Sequence, residues 1–409
     1  MYSNRTHEGE QSFMKYIFFM LAIIALKAGD NAEADKSRAD QCTEALNKQL
    51  VVTSTASDSL VASNHFKILI LLQRLEGILK EKRDVVLPEF SPVRPLKAGD
   101  KDESILILRQ ILQSLGYLEN ATNSPFFDME LEKAVKAFQA GHCIEDDGVI
   151  GEATKLRLNW GFPKRLAMIA DSISKIKSLA TTGRVIIVNI PTYSLHAYED
   201  QKLKMSMKAI VGKPKRPTPI MKSYIDGIEY NPVWVVPHTI LFEDKLPKVQ
   251  EDKEFFQKND MKIFDRNENE VDPDSVDWNE IDVNDFPYIF KQNPGKNNAL
   301  GLIKFNLRNN EQIYMHDTPH HELFKQNSRA LSSGCIRLNQ PGKLASWLLN
   351  VDRDEIKEEL DSGDTSTQPL ENSVTVYITY IPVWIDEELG DGRVLWGDDP
   401  YNLEPKPFH

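Results

Sequence analysis

Cysteine is scarce in this chain, which has only three among its 409 residues: Cys42, Cys143 and Cys335. A scaffold held together by many disulfides is therefore excluded, and an odd count leaves one thiol unpaired within the chain. If Cys42 and Cys143 pair, Cys335 is the remaining thiol, and an unpaired thiol is what a cysteine nucleophile requires. The sequence alone does not establish that pairing.

Positive charge is also in short supply. The chain carries 49 basic and 61 acidic residues, for a net charge of −12, and no basic cluster offsets this. A nucleic-acid partner is therefore not expected, since phosphate binding needs a basic face. The apolar fraction of 41% is high enough for real cores, and the length of 409 residues is enough for two or three domains.

Long apolar runs are absent apart from one near the N-terminus, Tyr16 to Leu26, which is short for a membrane-spanning helix. Met14-Lys15 precedes this run, and the small-x-small site Ala32-Glu33-Ala34 follows it, as in a secretory signal peptide. We therefore predict a signal peptide over residues 1–34, with Met14 as the expected start, and an exported protein. An uncleaved signal that anchors the protein in the membrane is the alternative.

Residues spaced for metal binding are lacking as well. No cysteine and histidine spacing fits a zinc site, and the neighbours His320 and His321 point apart on a helix or a strand. The acidic run over residues 272–285 lacks the glycine and the spacing of a calcium loop, and we interpret it as a solvated flap. We expect neither a metal nor a cofactor.

Apolar residues three or four positions apart predict helices in the first part of the chain. Residues 35–96 are interpreted as an N-terminal helical segment and a linker, with a helix from Leu60 to Lys82. A compact module follows over residues 97–160, and a helical connector over residues 161–183. The three helices of the module are predicted over Asp102 to Leu115, Phe127 to Gly141 and Glu152 to Leu158.

Alternation of apolar and polar residues replaces the helical period after Arg184. We predict a mostly β domain over residues 184–387, an insertion within it over residues 238–290, and a C-terminal tail over residues 388–409. Val374 to Ile381 is interpreted as the last strand. The first strands, interpreted as antiparallel, are predicted over Arg184 to Ile190, Tyr193 to Tyr198 and Lys204 to Val211, and a short helix over Leu344 to Leu349.

One segment of the β domain combines a histidine with the third cysteine. His316 lies 19 positions before Cys335 in Tyr-Met-His-Asp-Thr-Pro, and Ser-Ser-Gly-Cys-Ile-Arg-Leu surrounds the cysteine. A thiol attacks as the thiolate, and the nearby Arg337 would lower its pKa toward neutrality. Gly334 allows an unusual turn, so that backbone amides could face a developing oxyanion. A buried structural cysteine beside a solvated arginine is the alternative.

The predicted helical module carries a recognisable set of residues. These are Leu108, Gly116-Tyr117, Phe127-Asp128, Ala134-Val135, Phe138-Gln139 and Asp147-Gly148-x-x-Gly151-x-x-Thr154. With them, residues 97–160 resemble the peptidoglycan-binding domain that is appended to many cell-wall enzymes. Cys143 departs from the pattern, since glycine is more common there. The resemblance implies binding to the wall but does not single out the residues that contact it.

A second set of motifs runs through the β domain. It comprises Val211-Gly212-Lys213, Thr218-Pro219, Asn231-Pro232-x-Trp234-x-Val236-Pro237, Pro294-Gly295-x-x-Asn298-Ala299-Leu300-Gly301, Ile313-Tyr314-x-His316-Asp317-Thr318-Pro319 and Ser332-x-Gly334-Cys335-Ile336-Arg337. With them, Arg184 to about Trp384 resembles the catalytic domain of the L,D-transpeptidases, the YkuD-like fold. The insertion is similar to the substrate-capping subdomain of the larger periplasmic members.

The two resemblances together imply a fold class. We expect an α+β multidomain protein, in which a three-helix peptidoglycan-binding module precedes a mostly β YkuD-like catalytic domain with an inserted capping subdomain. The resemblance covers most of residues 60–400. It also implies a location in the periplasm.

The resemblance implies roles for individual residues of the catalytic domain. Cys335 would be the nucleophile, and His316 would be the base that shares its proton. Backbone amides near Gly334 and Cys335 would form the oxyanion hole, and Tyr314 would line the site. Arg337 would hold a substrate carboxylate or steady the cysteine loop.

Further positions depart from the family pattern or add to it. Ser333 stands where many members have a histidine, so a second catalytic histidine is absent at that point. Asp317 stands where smaller members have glycine, and either its side chain or a backbone carbonyl orients the imidazole. Ser333 and Asp317 are expected to shape the site, and Trp234 and Asn298 to bind substrate.

The implied reaction joins peptidoglycan stem peptides without ATP. A cysteine thioester forms as D-Ala leaves a tetrapeptide donor, and a diaminopimelate amine of another stem then makes a 3→3 cross-link. Further expected partners are other proteins of wall synthesis. The alternatives are an L,D-carboxypeptidase or endopeptidase, a protein that is anchored to the wall through the same thioester, and a non-catalytic wall-binding protein. A further hypothesis is that the acidic insertion favours approach of the cationic acceptor amine.

Overall fold

The computed structural model describes residues 64–180, 182–252, 254–281, 285–386 and 393–405. The predicted signal peptide and Cys42 lie outside these ranges, so export and the Cys42–Cys143 disulfide stay predictions. Among the described residues, no helix is both long enough and apolar enough to cross a membrane. The described chain forms two compact units. The first comprises residues up to Gly183, Tyr198–Lys204 and the residues from Tyr380 onward, and the second comprises Arg184–Ala197 and Met205–Thr379.

The first unit is mainly helical, and its helices lie where the apolar periodicity predicts them. Their buried residues recur three or four positions apart, as at Ile105, Leu108 and Ile111. Over the described residues its helices are α1 (Asn64–Glu81), α2 (Ser104–Ser114), α3 (Met129–Gly141), α4 (Glu152–Leu158) and α5 (Phe162–Ser178).

Two polar side chains fix the module that α2 to α4 form. Asp128 caps α3 by accepting a hydrogen bond of 2.9 Å from the Leu131 amide, and it also pairs with the buried Arg109. The buried Gln139 donates to Asp147 Oδ1, at 3.0 Å, and to Thr154 Oγ1, at 3.1 Å. These polar residues therefore build the module, and a contact with ligand is not needed to explain them.

Two short strands complete the first unit. Strands β14 (Val383–Asp386) and β15 (Arg393–Trp396) pair antiparallel, with Val383 opposite Trp396. The prediction that Val374 to Ile381 is the last strand is therefore wrong, and residues 388–409 are not merely a tail. A four-residue strand is too short for its alternation to be distinguished from a loop, and only the pairing with β14 identifies it.

Most of a nine-stranded mixed sheet belongs to the second unit. The order of its strands is β11-β3-β12-β10-β9-β4-β13-β1-β2, and an additional pairing of β3 with β2 closes the sheet on itself. The interpretation of the first strands as antiparallel is incomplete, because β1 lies parallel to β13 and β3 lies parallel to β11. Alternation reveals which face a side chain occupies but not the direction of the neighbouring strand. The strands are β1 (Arg184–Asn189), β2 (Ser194–Glu199), β3 (Lys202–Gly212), β4 (Met221–Tyr230), β9 (Ile303–Leu307), β10 (Met315–His316), β11 (Ala330–Ser332), β12 (Ile336–Leu338) and β13 (Ser366–Thr379).

The segment between β4 and β9 contains the predicted insertion, and we call residues 238–290 the cap. A separate sheet in the order β5-β8-β6-β7 joins the cap to the residues that flank it. The cap has its own aromatic core, in which Phe255, Phe256 and Phe290 are buried beside Trp234. The elements are β5 (Trp234–Val235), α6 (His238–Ile240), a π-helical turn (Leu241–Lys245), α7 (Leu246–Glu251), α8 (Phe255–Lys258), β6 (Met261–Phe264), β7 (Glu270–Val271) and β8 (Ile289–Gln292), and helices α9 (Pro341–Leu349) and α10 (Arg353–Asp361) follow in the second unit.

Candidate active site

Two adjacent strands bring the predicted nucleophile and base to the same place. Strands β10 and β12 lie parallel, with His316 opposite Arg337. The Ile336 amide donates to the Tyr314 carbonyl at 3.0 Å, so Cys335 lies beside Tyr314 where the two strands begin. Met315 is fully buried in the core, and Tyr314 and His316 share the opposite face, with ring centroids 5.5 Å apart.

These residues line one cleft with a volume of about 800 Å³. The predicted residues that it brings together are Cys335, His316, Tyr314, Ser333, Arg337 and Trp234. The cap contributes the opposite wall, through Lys245 among others. Three other residues predicted for the site do not belong to this lining: Asp317, Gly334 and Asn298.

The imidazole of His316 is oriented by a backbone carbonyl. Its Nδ1 lies 2.5 Å from the backbone carbonyl oxygen of Asp317. Since a carbonyl oxygen can only accept a hydrogen bond, Nδ1 must carry the proton. Burial, together with the charge of Arg337, lowers the pKa of His316 to about 3. The ring is therefore neutral at physiological pH, and its Nε2 is available to accept a proton. The backbone, and not the Asp317 carboxylate, orients the ring.

The side chain of Asp317 instead holds the neighbouring loop. Its Oδ2 accepts from the Leu302 amide at 3.0 Å, and its Oδ1 lies 3.4 Å from Nε2 of His321. Burial raises the pKa of this carboxyl above its ordinary value. Gly301 has φ of +62°, and a Cβ there would lie 2.4 Å from Asp317 Cγ. The loop therefore requires glycine, and Asp317 acts on the histidine through this packing.

The thiol of Cys335 is half-buried beside Tyr314. Burial raises the pKa of this thiol, while hydrogen bonds from the Tyr314 amide and hydroxyl and the charge of Arg337 act in the opposite direction. Its Sγ lies 3.8 Å from the Gln312 carbonyl oxygen, and no hydrogen bond joins it to His316 in the described structure. The expectation that Arg337 brings the thiol pKa toward neutrality is therefore wrong, because burial outweighs that charge. The resting pair is a neutral thiol and a neutral imidazole.

The turn before the cysteine is held from both sides. Ser332 Oγ donates to the Cys335 carbonyl at 2.6 Å and accepts from the Gly334 amide at 3.2 Å. The Gly334 carbonyl accepts from Thr218 Oγ1 at 2.6 Å, and Gly334 itself has φ of +119°. Glycine is needed in this turn for its backbone conformation. An oxyanion hole at Gly334 and Cys335 stays a prediction, because in this state the Gly334 amide donates to Ser332.

Arg337 is a mostly buried cation without an acidic partner among the described residues. Burial lowers its pKa from the ordinary arginine value, although the group remains charged. Its Nε is buried without a hydrogen-bond partner. A buried donor that is left unpaired is costly, so the cleft is suited to an anion at this point.

Two further residues of the site were not identified from the sequence. Arg216 Nη1 donates to Ser333 Oγ at 2.9 Å and to Asp244 Oδ2 at 2.5 Å, and its other nitrogen binds Glu243. Thr218 supports the Gly334 carbonyl, as described above. Thr218 belongs to a recognised motif, which is a signal that it has a role. Nothing in the sequence pairs Arg216 with Ser333, which lies 117 positions away.

The two predicted substrate-binding residues differ in position. Trp234 lines the cleft, and its indole hydrogen bonds to the Tyr314 hydroxyl. Asn298 is buried, and its Nδ2 donates to the carbonyl oxygens of Pro232 and Asn293, at 3.0 and 2.9 Å. The structure therefore gives Asn298 contacts that brace the loop before β9. A contact with substrate stays a prediction for both residues.

Comparisons with known proteins agree with this architecture. Residues 183–377 match the family model "YkuD: L,D-transpeptidase catalytic domain", and residues 101–158 match the "Putative peptidoglycan binding domain". A curated Haemophilus influenzae protein described as "Putative L,D-transpeptidase" is 40% identical over 244 residues, which is 59% of this chain and 48% of that protein. The chain thus spans about half the length of this relative.

Solved structures of L,D-transpeptidases are also similar, at low scores. One from Stackebrandtia nassauensis has a TM-score of 0.26 and 14% identity, covering 72% of this chain and 97% of its own. One from Xylanimonas cellulosilytica has a TM-score of 0.24 and 13% identity, covering 70% and 99%. These scores are too low for the alignments to guide the reading of individual residues.

The site defines a class of protein, in which a thiol and a neutral imidazole share a capped cleft on a mixed β-sheet. The family matches then identify the domains. Residues 183–377 match the YkuD L,D-transpeptidase catalytic domain, and residues 101–158 match the putative peptidoglycan-binding domain.

Proposed function

We propose that this protein is an exported L,D-transpeptidase that forms 3→3 peptidoglycan cross-links through a thioester on Cys335. The observation that carries the proposal is one cleft that holds a thiol, a neutral imidazole and a guanidinium whose buried Nε has no hydrogen-bond partner: Cys335, His316 and Arg337. The domain matches support the family activity, and the identity of the bond formed belongs to the proposal. The substrate lies outside the cytoplasmic membrane, so the proposal includes export.

The first half-reaction follows from the protonation states of the site. Nε2 of His316 takes the thiol proton as Sγ attacks the carbonyl at the L-centre of diaminopimelate in the donor stem. The tetrahedral intermediate collapses, the bond to D-Ala breaks, and the departing amine takes the proton from the imidazolium. The products are a thioester on Cys335 and free D-Ala. Both catalytic groups start neutral, so no ion pair has to be held in the buried resting site.

The second half-reaction is the reverse of the first with another amine. The side-chain amine of diaminopimelate in an acceptor stem attacks the thioester carbonyl and gives a proton to His316. The carbon–sulfur bond then breaks, and the proton returns to Sγ as the thiol re-forms. In both halves Arg337 would bind a carboxylate of the bound stem by charge-assisted hydrogen bonds, which explains why it has no acidic partner of its own.

Mass spectrometry of the reaction products tests the proposal. Purified tetrapeptide muropeptides are incubated with the wild-type protein, with Cys335→Ala and with Cys143→Ala, which replaces a cysteine of the helical unit. We expect the wild type and Cys143→Ala to release D-Ala and to form 3→3 dimers, and Cys335→Ala to do neither. Cys335-dependent tripeptides without dimers would replace transfer by hydrolysis, and D-Ala release by Cys335→Ala would overturn the thioester.

A further inference from the structure

The wall of the cleft that the cap supplies carries a second cation. Lys245 ends the π-helical turn Leu241–Lys245 and lines the cleft together with Cys335. Its side chain is half-buried, with Nζ 5.2 Å from the ring centroid of Trp234 and 5.7 Å from that of Phe255. In the described part of the chain no acidic residue forms an ion pair with it. Aromatic faces hold an ammonium in place without neutralising it.

The acids nearest to Lys245 along the chain are already occupied. Asp244 accepts two hydrogen bonds from Arg216, at 2.5 and 3.2 Å, and Glu243 accepts one at 2.5 Å. One guanidinium therefore holds both carboxylates in place, and Asp244 acts on Lys245 only through its charge, without an ion pair in the described structure. The ammonium group thus lacks a hydrogen-bonded anion against a partly apolar wall, which is an unfavourable arrangement unless an anion joins it.

The acidic run of the cap does not offset this charge. None of the described residues in the range 272–285 lines the cleft, whereas Lys245, Lys248 and Lys213 all do. The hypothesis that this acidic run attracts a cationic acceptor amine therefore has no support from the cleft itself. On the cap side of the cleft, Lys245 and Lys248 stand beside Glu243 and Asp244. Because Arg216 holds these two carboxylates, the lysines are the charges left to attract an anionic ligand.

A short chain of side chains connects Lys245 to the nucleophile. The Lys245 ammonium lies over the Trp234 ring, and the Trp234 indole forms a hydrogen bond with the Tyr314 hydroxyl. Tyr314 in turn forms a hydrogen bond with the Cys335 thiol. Two aromatic side chains thus separate the ammonium from Sγ. Arg337, by contrast, follows the nucleophile by two residues. Lys245 and Arg337, neither of which has an ion-pair partner in the described structure, are therefore suited to two different carboxylates of one extended peptide.

We propose that Lys245 binds a carboxylate of the donor stem peptide, distinct from the one at Arg337, and so makes the enzyme selective for stems in which that carboxylate is free. This inference rests on the proposed function, because it takes the donor to be a peptidoglycan stem. A carboxylate here forms a charge-assisted hydrogen bond in a partly desolvated place, where such bonds are strong. Amidation of that carboxylate removes the charge and should remove the preference.

Binding measurements on the full chain with Cys335→Ala separate this inference from the chemistry. Calorimetry gives Kd for three tetrapeptides: one with free carboxylates, one amidated at isoglutamate and one amidated at diaminopimelate. Each is titrated into Cys335→Ala alone and into the same protein with Lys245→Met, Lys245→Arg or Lys258→Met. Lys258 is the matched control, since it lies in the cap, is paired with Asp252 and does not line the cleft.

We expect Lys245→Met to weaken binding of the free peptide about tenfold or more, and Lys258→Met to change it less than twofold. One of the two amidations should weaken binding to the same degree, and Lys245→Met should add no further loss with that peptide. Lys245→Arg should keep most of the affinity, which also shows that the fold tolerates substitution at this position.

Three results would overturn the role of Lys245: an unchanged Kd in Lys245→Met, an equal loss with every peptide, or an equal loss in Lys258→Met. Release of D-Ala by the wild-type protein is measured in parallel. If D-Ala is released and the Kd pattern is missing, the inference about Lys245 fails and the proposed function stands. If the Kd pattern is found without D-Ala release, the carboxylate site stands and the proposed reaction fails.

Discussion

Arg216 and Ser333 are joined by a hydrogen bond of 2.9 Å, and through it the cap is connected to the turn that carries Cys335, the proposed nucleophile. The same guanidinium donates hydrogen bonds to Asp244 and Glu243 in the π-helical turn of the cap. A π-helical turn within a helical segment is often found at a functional site. Arg216 is thus a positioning residue, because it contacts two elements of the cleft wall and holds them in a fixed relative position.

Arg216→Gln should lower kcat/KM for the tetrapeptide donor about tenfold to a hundredfold, because small displacements of a nucleophile cost that much. Hydrogen exchange over residues 238–251 should accelerate as the cap segment loses its anchor. Arg266→Gln is the control, since Arg266 is an exposed cap residue that pairs with Asp285. Unchanged kinetics and unchanged exchange in Arg216→Gln would mean that these ion pairs position neither the cap nor the turn that carries Cys335.

The contrast between Arg216 and the proposed catalytic pair, Cys335 and His316, shows what the sequence reveals and what it does not. Cys335 and His316 stand in short motifs whose residue types indicate chemistry, so they are found without a structure. Arg216 depends on partners 28 and 117 positions away, and no local pattern encodes such a pairing. Helices are found from their own period, whereas the direction of β1 against β13 depends on long-range pairing.

The electrostatics of the site also could not be predicted from sequence. The sequence places Arg337 two residues from Cys335, and the sign of that charge suggests a low thiol pKa. In the structure the thiol is buried, and burial raises its pKa by more than the charge of Arg337 lowers it. Burial is a property of the whole fold, so spacing along the chain cannot predict which effect is larger.

The pH dependence of donor acylation should lack the usual histidine step. Burial holds the pKa of His316 at about 3, so the ring is already neutral throughout the range from pH 5 to 8. Protonation of an ordinary imidazole would cut the rate as the pH falls through about 6.5. We expect no such loss when D-Ala release is measured between pH 5 and 8 at saturating donor. A rate that halves near pH 6.5 would contradict a buried neutral base.

Alkylation of Cys335 by iodoacetamide should report the raised thiol pKa directly. The rate should rise through a midpoint above that of an ordinary thiol, because the buried thiolate is disfavoured. Tyr314→Phe removes a hydrogen bond that lowers this pKa, so the midpoint should move further up. Tyr224→Phe, a change at a half-exposed tyrosine of β4, is the control and should leave the midpoint in place. A downward shift in Tyr314→Phe would contradict the hydrogen bond from the hydroxyl to Sγ.

Gly301→Ala should damage both stability and activity. The new Cβ would lie 2.4 Å from Asp317 Cγ, and φ of +62° is unfavourable for alanine. We expect a loss of about 1–3 kcal/mol in the free energy of unfolding, together with lower activity as Asp317 and the His316 ring are displaced. Gly342→Ala is the control, because nothing lies within 4 Å of a Cβ in that helical position. It should be neutral or slightly stabilising, and equal losses in both variants would contradict the specific clash.

Thr218→Val keeps the shape of the side chain and removes the hydroxyl that supports the nucleophile turn. That hydroxyl donates to the Gly334 carbonyl at 2.6 Å and accepts from the Gly212 amide at 2.8 Å, so valine removes one hydrogen bond from each of two buried backbone groups. A lost partner of this kind costs about 1–3 kcal/mol, and the unfolding free energy should fall by at least that amount.

The kinetics of Thr218 variants distinguish a site role from a purely structural one. Because Gly334 directly precedes Cys335, we expect the acylation rate at saturating donor to fall in Thr218→Val while donor binding changes little. Thr218→Ser retains the hydroxyl and should restore most of the rate even where the lost methyl group lowers stability. If both variants lose the rate in proportion to their unfolding free energy, Thr218 supports the fold alone and does not position the nucleophile.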